Sequence, residues 1–221
     1  MASIQSLITA GGPVVVILLG FSMVALTVIA LKLWQFWSLG DNGGKYIEEA
    51  LRHLEQGDRA QALLLAGDHR NPRADVVARG LRLLDKPWLT VDDIRDEITR
   101  VARGHLNGLG SLLRILEVIA VLAPLLGLFG TVLGMIDAFK AMAAAGNQVN
   151  PATLSEGIWV ALLTTAVGLA VAMPTSLFNS AFDRHVENIA ARMTDDIGRI
   201  LTAQAERRGV EARRHGLAQK A

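Results

Sequence analysis

Hydroxyls and carboxylates set inside apolar sequence are the groups of this chain whose types and spacing could do chemistry. Thr131 stands in GLFGTVLG (Gly127–Gly134), and Thr164 and Thr165 stand in tandem in EGIWVALLTTAVGLAVAMP (Glu156–Pro174). A mid-helix threonine can bond back to its own helix, which for Thr131 means the i−4 carbonyl of Gly127. Alternatively its hydroxyl can line a polar path between helices. Tandem β-branched hydroxyls bring little to a lipid-facing helix. Thr164 and Thr165 therefore read as groups lining a polar path, or as hydroxyls satisfied at a helix interface. Positions 156, 160 and 164 make a shallow i,i+4 stripe, and Thr165 lies well round the helix from 156. Gly130 and Gly134 form a GxxxG which, with Gly127, suits close backbone approach between membrane helices.

Two carboxylates border these stretches. Glu117 lies three residues after Arg114, a spacing for an i,i+3 ion pair, although an ionisable residue at membrane depth defaults to a functional reading. Glu156 follows Thr153 at S/T-x-x-E spacing, so a capping box accounts for it without transport, with Asn150–Pro151 a rival helix start one turn earlier. Asp137 and Lys140 repeat the ion-pair spacing at the other edge of their span.

The elements that must position these groups are helices in a membrane. The 221 residues are 51% hydrophobic, with a net charge of +1 and a mean hydropathy of +0.35. Soluble domains rarely average so apolar, and this charge makes no case for nucleic acid. The absence of cysteine excludes disulfides and thiolate chemistry, and His53, His69, His105, His185 and His215 show no ligand spacing. With no nucleophile–base pair, metal spacing or phosphate loop, an enzyme is not expected, nor a cofactor.

Three apolar stretches of bilayer-crossing length predict an all-α membrane protein with long helical extensions. The expected layout is a short periplasmic N-terminus (1–12), a first span (13–33), a cytoplasmic helical domain (34–110), a second span (111–137), a periplasmic loop (138–155), a third span (156–180) and a cytoplasmic helix and tail (181–221). The first span reads as retained, since no Lys or Arg precedes Lys32 as the basic region of a leader would require, and Trp34 and Trp37 suit an interface. Twelve basic residues from Lys32 to Gly110 and eight after Phe182, against Lys140 alone between 138 and 155, place the N-terminus and that loop outside.

Between the spans, helical spacing recurs. Ile47, Leu51 and Leu54, then Ala60, Leu63 and Leu64, flank a turn at Gln56-Gly57-Asp58. Asn71 caps a helix that opens on Pro72, and Thr90 caps one with an acidic first turn. The latter helix, with Ile94, Ile98, Val101 and Leu106 along one face, is expected to run unbroken into the second span. Val186, Ile189, Met193, Ile197 and Ile200 form a further apolar stripe that must pack on helices of this chain or another subunit.

LEVIAVLAPLLGLFGTVLGMIDAF (Leu116–Phe139), followed by GIWVALLTTAVGLAVAMP (Gly157–Pro174), resembles the ExbB/TolQ/MotA proton-channel family, closest in topology to ExbB and TolQ. The resemblance implies a bacterial inner-membrane subunit, five copies of which surround the single spans of an ExbD- or TolR-like partner bearing a membrane Asp. It further implies transmission to a TonB- or TolA-like protein across the periplasm. Thr131 and Thr165 match the threonines that such proteins turn toward the proton path, with Thr164 beside them. Val160 departs from the pattern, because ExbB- and TolQ-like members hold a glutamate there whereas MotA-like members lack it. Either the partner's Asp carries proton exchange alone, or Glu156 substitutes.

Overall fold

The structure, a computed structural model, describes residues 2–39, 43–67, 71–86, 88–145 and 151–218. Seven helices and no strand occur among the described residues: α1 (Ala2–Leu39), α2 (Gly43–Glu55), α3 (Arg59–Gly67), α4 (Pro72–Leu83), α5 (Val91–Gly110), α6 (Leu113–Ala145) and α7 (Pro151–Ala218). The chain is all-α. Three stretches are long and apolar enough to cross a membrane, Gly12–Ser38, Leu113–Ala144 and Leu154–Gly209. The last has 56 residues, whereas about 20 suffice for a hydrocarbon core, so only part of it can lie in lipid.

The helices form two units. The first comprises Met1–Trp34 and Leu112–Asp183, and the second Gln35–Ser111 and Arg184–Ala221. In the first unit, α1 kinks at Gly12 (φ 62), a dihedral glycine adopts without penalty, immediately before Pro13. Beyond the kink, Val14, Val15, Leu18, Ala25, Val28 and Ile29 are buried at helical spacing and give α1 its inward face. Lys32 continues that face and is buried as well.

The second unit has a conventional aliphatic core. Ile47 and Leu51 of α2, Leu81 of α4 and Ile94 and Ile98 of α5 pack with Met193 and Ile200 of α7, so the apolar stripe from Ile189 to Ile200 is covered by helices of its own chain. In α3 the buried residues are Ala62 and Ala66, and Leu63 packs against the core as expected, whereas Ala60 and Leu64 are exposed, Leu64 by 69%. The turn falls where expected, with Gly57 at φ 88. The Asn71 side chain accepts the Arg73 amide at 2.9 Å, and Thr90 with Asp93 completes a capping box. Arg199 donates to Glu48 and Glu55 of α2, at 2.8 Å each.

The expectation of one continuous helix from Thr90 into the second span fails. Ser111 ends α5 with an extended ψ of 146, and Leu112 takes φ 70, the left-handed region that costs a branched side chain about 1–2 kcal/mol. The local sequence explains the break. Gly108 and Gly110 are poor helix formers, and the Ser111 hydroxyl donates to the Gly108 carbonyl at 2.7 Å. The unbroken helix is instead α7, which carries the third apolar stretch and the tail in one element of 68 residues.

Candidate functional site

In the first unit, α6 and α7 run antiparallel with their backbones in close approach. A methyl added at Gly127 would lie 3.0 Å from the Thr164 carbonyl and 3.0 Å from the Thr165 Cα. At Gly130 it would meet the Thr164 side chain, 2.5 Å from Oγ1, and at Gly134 the Ala161 Cβ at 3.0 Å. The opposing helix contributes Gly157 against Ala138, at 2.6 Å, and Gly168 against the Ala123 carbonyl, also at 2.6 Å. Small residues on both sides bring the helices within reach of one another's backbone. Gly157 and Gly168 were missed in the sequence, although Gly157, Ala161, Thr164 and Gly168 keep the three-and-four spacing of a small-residue face.

Thr164 is the polar centre of this contact. Its side chain is buried, and its hydroxyl lies 2.7 Å from the Ala161 carbonyl of its own helix and 3.1 Å from the Gly127 carbonyl across the interface. Thr131 bonds differently from the expectation. Its hydroxyl donates to Leu128 at i−3, 2.6 Å away, and not to Gly127. The Gly127 oxygen is the one that Thr164 approaches from the facing helix. Thr131 itself is half-buried. The Thr165 hydroxyl is buried with no hydrogen-bond partner among the described residues, a state that costs about 1–3 kcal/mol unless a donor or acceptor reaches it.

The two carboxylates lie at opposite ends of the helix pair. The antiparallel contacts set Gly127 beside Thr164 to Gly168, and Gly157 beside Ala138. Continuing that register puts Glu117 near the level of Pro174 and Glu156 near Ala138, roughly 30 Å apart at 1.5 Å per residue. Both are exposed. No ion pair joins Arg114 to Glu117 among the described residues, whereas Lys140 and Asp137 approach to 3.9 Å, both well exposed. Helix α7 begins at Pro151, so Thr153 sits inside its first turn instead of capping it. The Thr153 side chain and Asn150 lie outside the described residues, and with them the expected box with Glu156. The same register places Val160, half-buried, at the level of Gly134 and Met135, about one turn from Thr131.

The comparisons with known proteins cover the sequence of this helix pair. The family model described as the MotA/TolQ/ExbB proton channel family matches residues 68–195, a range that holds all of α6 and the hydroxyl-bearing part of α7. The chain is 37% identical over 121 residues to a biopolymer transport protein ExbB homolog of Methanothermobacter thermautotrophicus, covering 54% of this chain but only 41% of that relative. It is 33% identical over 153 residues to the biopolymer transport protein exbB1 of Vibrio cholerae, covering 68% of this chain and 67% of the relative. The Tol-Pal system protein TolQ of Pseudomonas aeruginosa is 30% identical over 115 residues, about half of each chain.

Proposed function

The chain belongs to the MotA/TolQ/ExbB proton channel family, and on that premise we propose that it is a multi-pass subunit of a bacterial inner-membrane motor. With a single-span ExbD- or TolR-like partner it converts proton motive force into mechanical work on a TonB- or TolA-like protein that spans the periplasm. The N-terminus is periplasmic, the C-terminus is cytoplasmic, and copies of the chain, most simply five, surround the partner's spans within the lipid. The single observation that carries this reading is the family match across both hydroxyl-bearing helices.

In this reading the protein supplies a polar track and the partner supplies the acid. Thr131 and Thr165 line the path. A hydroxyl there steadies a carboxylate or relays a proton through water without bearing charge itself, which avoids the cost of a fixed ion at membrane depth. Thr164 serves differently, since its hydroxyl and its methyl are both engaged at the α6–α7 contact. It holds the two helices in the register that sets Thr131 and Thr165. The partner's Asp is the chief proton carrier, because Val160 stands without a carboxylate where ExbB- and TolQ-like members hold a glutamate, and Glu156 lies one turn nearer the loop. Each proton delivers ~2.3 kcal/mol per 100 mV, so several are needed for a substantial stroke.

Two observations favour other readings. Val160 favours a relative of the MotA-type stators, which lack a carboxylate at that position. The consumption of the Thr164 hydroxyl in packing favours a non-conducting scaffold. Proteoliposomes holding this chain and a single-span partner with a membrane Asp separate them. Proton flux that is abolished by joint Thr131→Val and Thr165→Val, with the complex still assembled, supports the motor. Unchanged flux in that double variant sinks it.

A further inference from the structure

The second unit holds a cavity of about 490 Å³ whose chemistry the proton path does not use. One wall is aromatic. The Phe36 and His185 rings meet edge to face with centroids 4.8 Å apart, and Trp37 beside them is 83% exposed. Phe36 and Trp37 are among the last residues of the first apolar stretch, Gly12–Ser38, where an aromatic ring would sit at headgroup depth. The rest of the lining is mostly polar and basic, with Asn188 and Arg192 following His185 along one face of α7 and Asn71 and Arg73 at the start of α4.

Arg73 is already matched, since it donates to Asp196 through two nitrogens and that carboxylate is fully buried behind it. Arg192 is exposed and forms no ion pair with a described residue. None of the residues lining this cavity is acidic, whereas an adjoining cleft that shares Arg73 and Arg192 with it is lined by Glu48, Glu49 and Asp195 together with Lys45 and Arg52. The cavity therefore combines an unmatched guanidinium, an amide donor and an imidazole with an apolar aromatic rim. A guanidinium presents a planar fork of donors that matches phosphate oxygens two at a time.

We propose that this cavity binds a phosphate group, that of an acidic phospholipid, with Arg192 as counter-charge and Asn188 and His185 as donors. The acyl chains leave past Phe36 and Trp37. The shared chemistry is a phosphate oxyanion, and the aromatic rim at the end of an apolar span assigns it to a lipid in preference to a free anion.

The full chain, purified in detergent and stripped of lipid, is titrated with phosphatidylglycerol and separately with phosphatidylcholine, and bound lipid is counted by native mass spectrometry. Phosphatidylglycerol is retained preferentially. Arg192→Gln weakens it roughly tenfold, as expected for loss of a charge-assisted hydrogen bond, and Arg192→Lys weakens it less. Arg103→Gln, which removes an exposed α5 cation outside the cavity, leaves binding unchanged. Asn188→Leu provides a second, uncharged probe, with helicity and thermal midpoint measured for every variant. Equal retention of both lipids, or equal losses in Arg192→Gln and Arg103→Gln, overturns the site. Displacement of phosphatidylglycerol by millimolar inorganic phosphate overturns the assignment to lipid.

Discussion

Thr131, Thr164 and Thr165 are one residue type in three bonding situations, and the difference sets what each substitution should do. Thr164 bonds across to another helix, so Thr164→Val should weaken the α6–α7 pair by about 0.6 kcal/mol, the average for such bonds between membrane helices, read as a lowered thermal midpoint in detergent. Thr131 bonds only within its own helix. Thr131→Val should leave stability within about 0.5 kcal/mol while abolishing proton-driven transduction, measured as flux or as partner-dependent uptake. Gly130→Ala drives a methyl onto the Thr164 side chain and should cost about 1–3 kcal/mol by overpacking. Thr164→Gly in the same background should recover much of that loss, which a double-mutant cycle detects. In the second unit, hydrogen bonds from Arg100 and Arg79 hold the Glu97 carboxyl at about 2, below its ordinary 4.5. Ionised Glu97 therefore stabilises the fold above about pH 4.5, and that contribution is lost as the pH falls from there toward 2. Glu97→Gln should lower the thermal midpoint at pH 6, and the gap to wild type should narrow at pH 3.

Helix boundaries decide which segments can act as rigid levers. The break at Ser111–Leu112 rests on a leucine at φ 70, where glycine would sit without strain and a β-branched residue would be worse. Leu112→Gly should therefore match or exceed wild type in thermal midpoint, while Leu112→Val should fall below it by about 1 kcal/mol. The opposite ranking would mean that the break is held by packing of the leucine side chain and not by backbone preference. The weak point was legible in NGLGS (Asn107–Ser111), where two glycines and a serine close an otherwise regular pattern, although periodicity alone carried the helix across it. Pro174 lies inside α7, as a third span running from 156 to 180 requires. It is a nominal breaker, yet the helix continues, and the next residue, Thr175, donates its hydroxyl to the Val171 carbonyl at 2.7 Å.

At the scale of the whole molecule, α7 contributes to both units, to the small-residue contact with α6 in the first and to the aliphatic core in the second. Its Asp196 is fully buried and held by Arg73, 123 positions earlier, with Nη2 to Oδ1 at 2.7 Å. Hydrogen bonding to Asp196 holds the Arg73 guanidinium still more firmly protonated than usual. Arg73→Met would leave that carboxylate buried and unpaired and should destabilise the second unit by about 3–5 kcal/mol, measured by denaturant unfolding. Replacing both partners with apolar residues should cost much less, because no buried charge then remains.

By itself the sequence determined the class of this protein: all-helical, with three stretches too apolar and too long to remain in water, and with Thr131 among spaced glycines and the Thr164–Thr165 pair in the later two. Composition and helical period suffice for that, since they depend on neighbours within one or two turns. The caps at Asn71 and Thr90 were readable for the same reason. Only the tertiary structure decided which hydroxyl is spent on packing, because a bond from Thr164 to Gly127 depends on antiparallel register between helices 37 positions apart. Only it brought Arg73 to Asp196 and gathered Arg192, Asn188 and Phe36 around one cavity. Each of those residues is locally unremarkable, and its surroundings come from the folding of distant segments, which no period along the chain encodes.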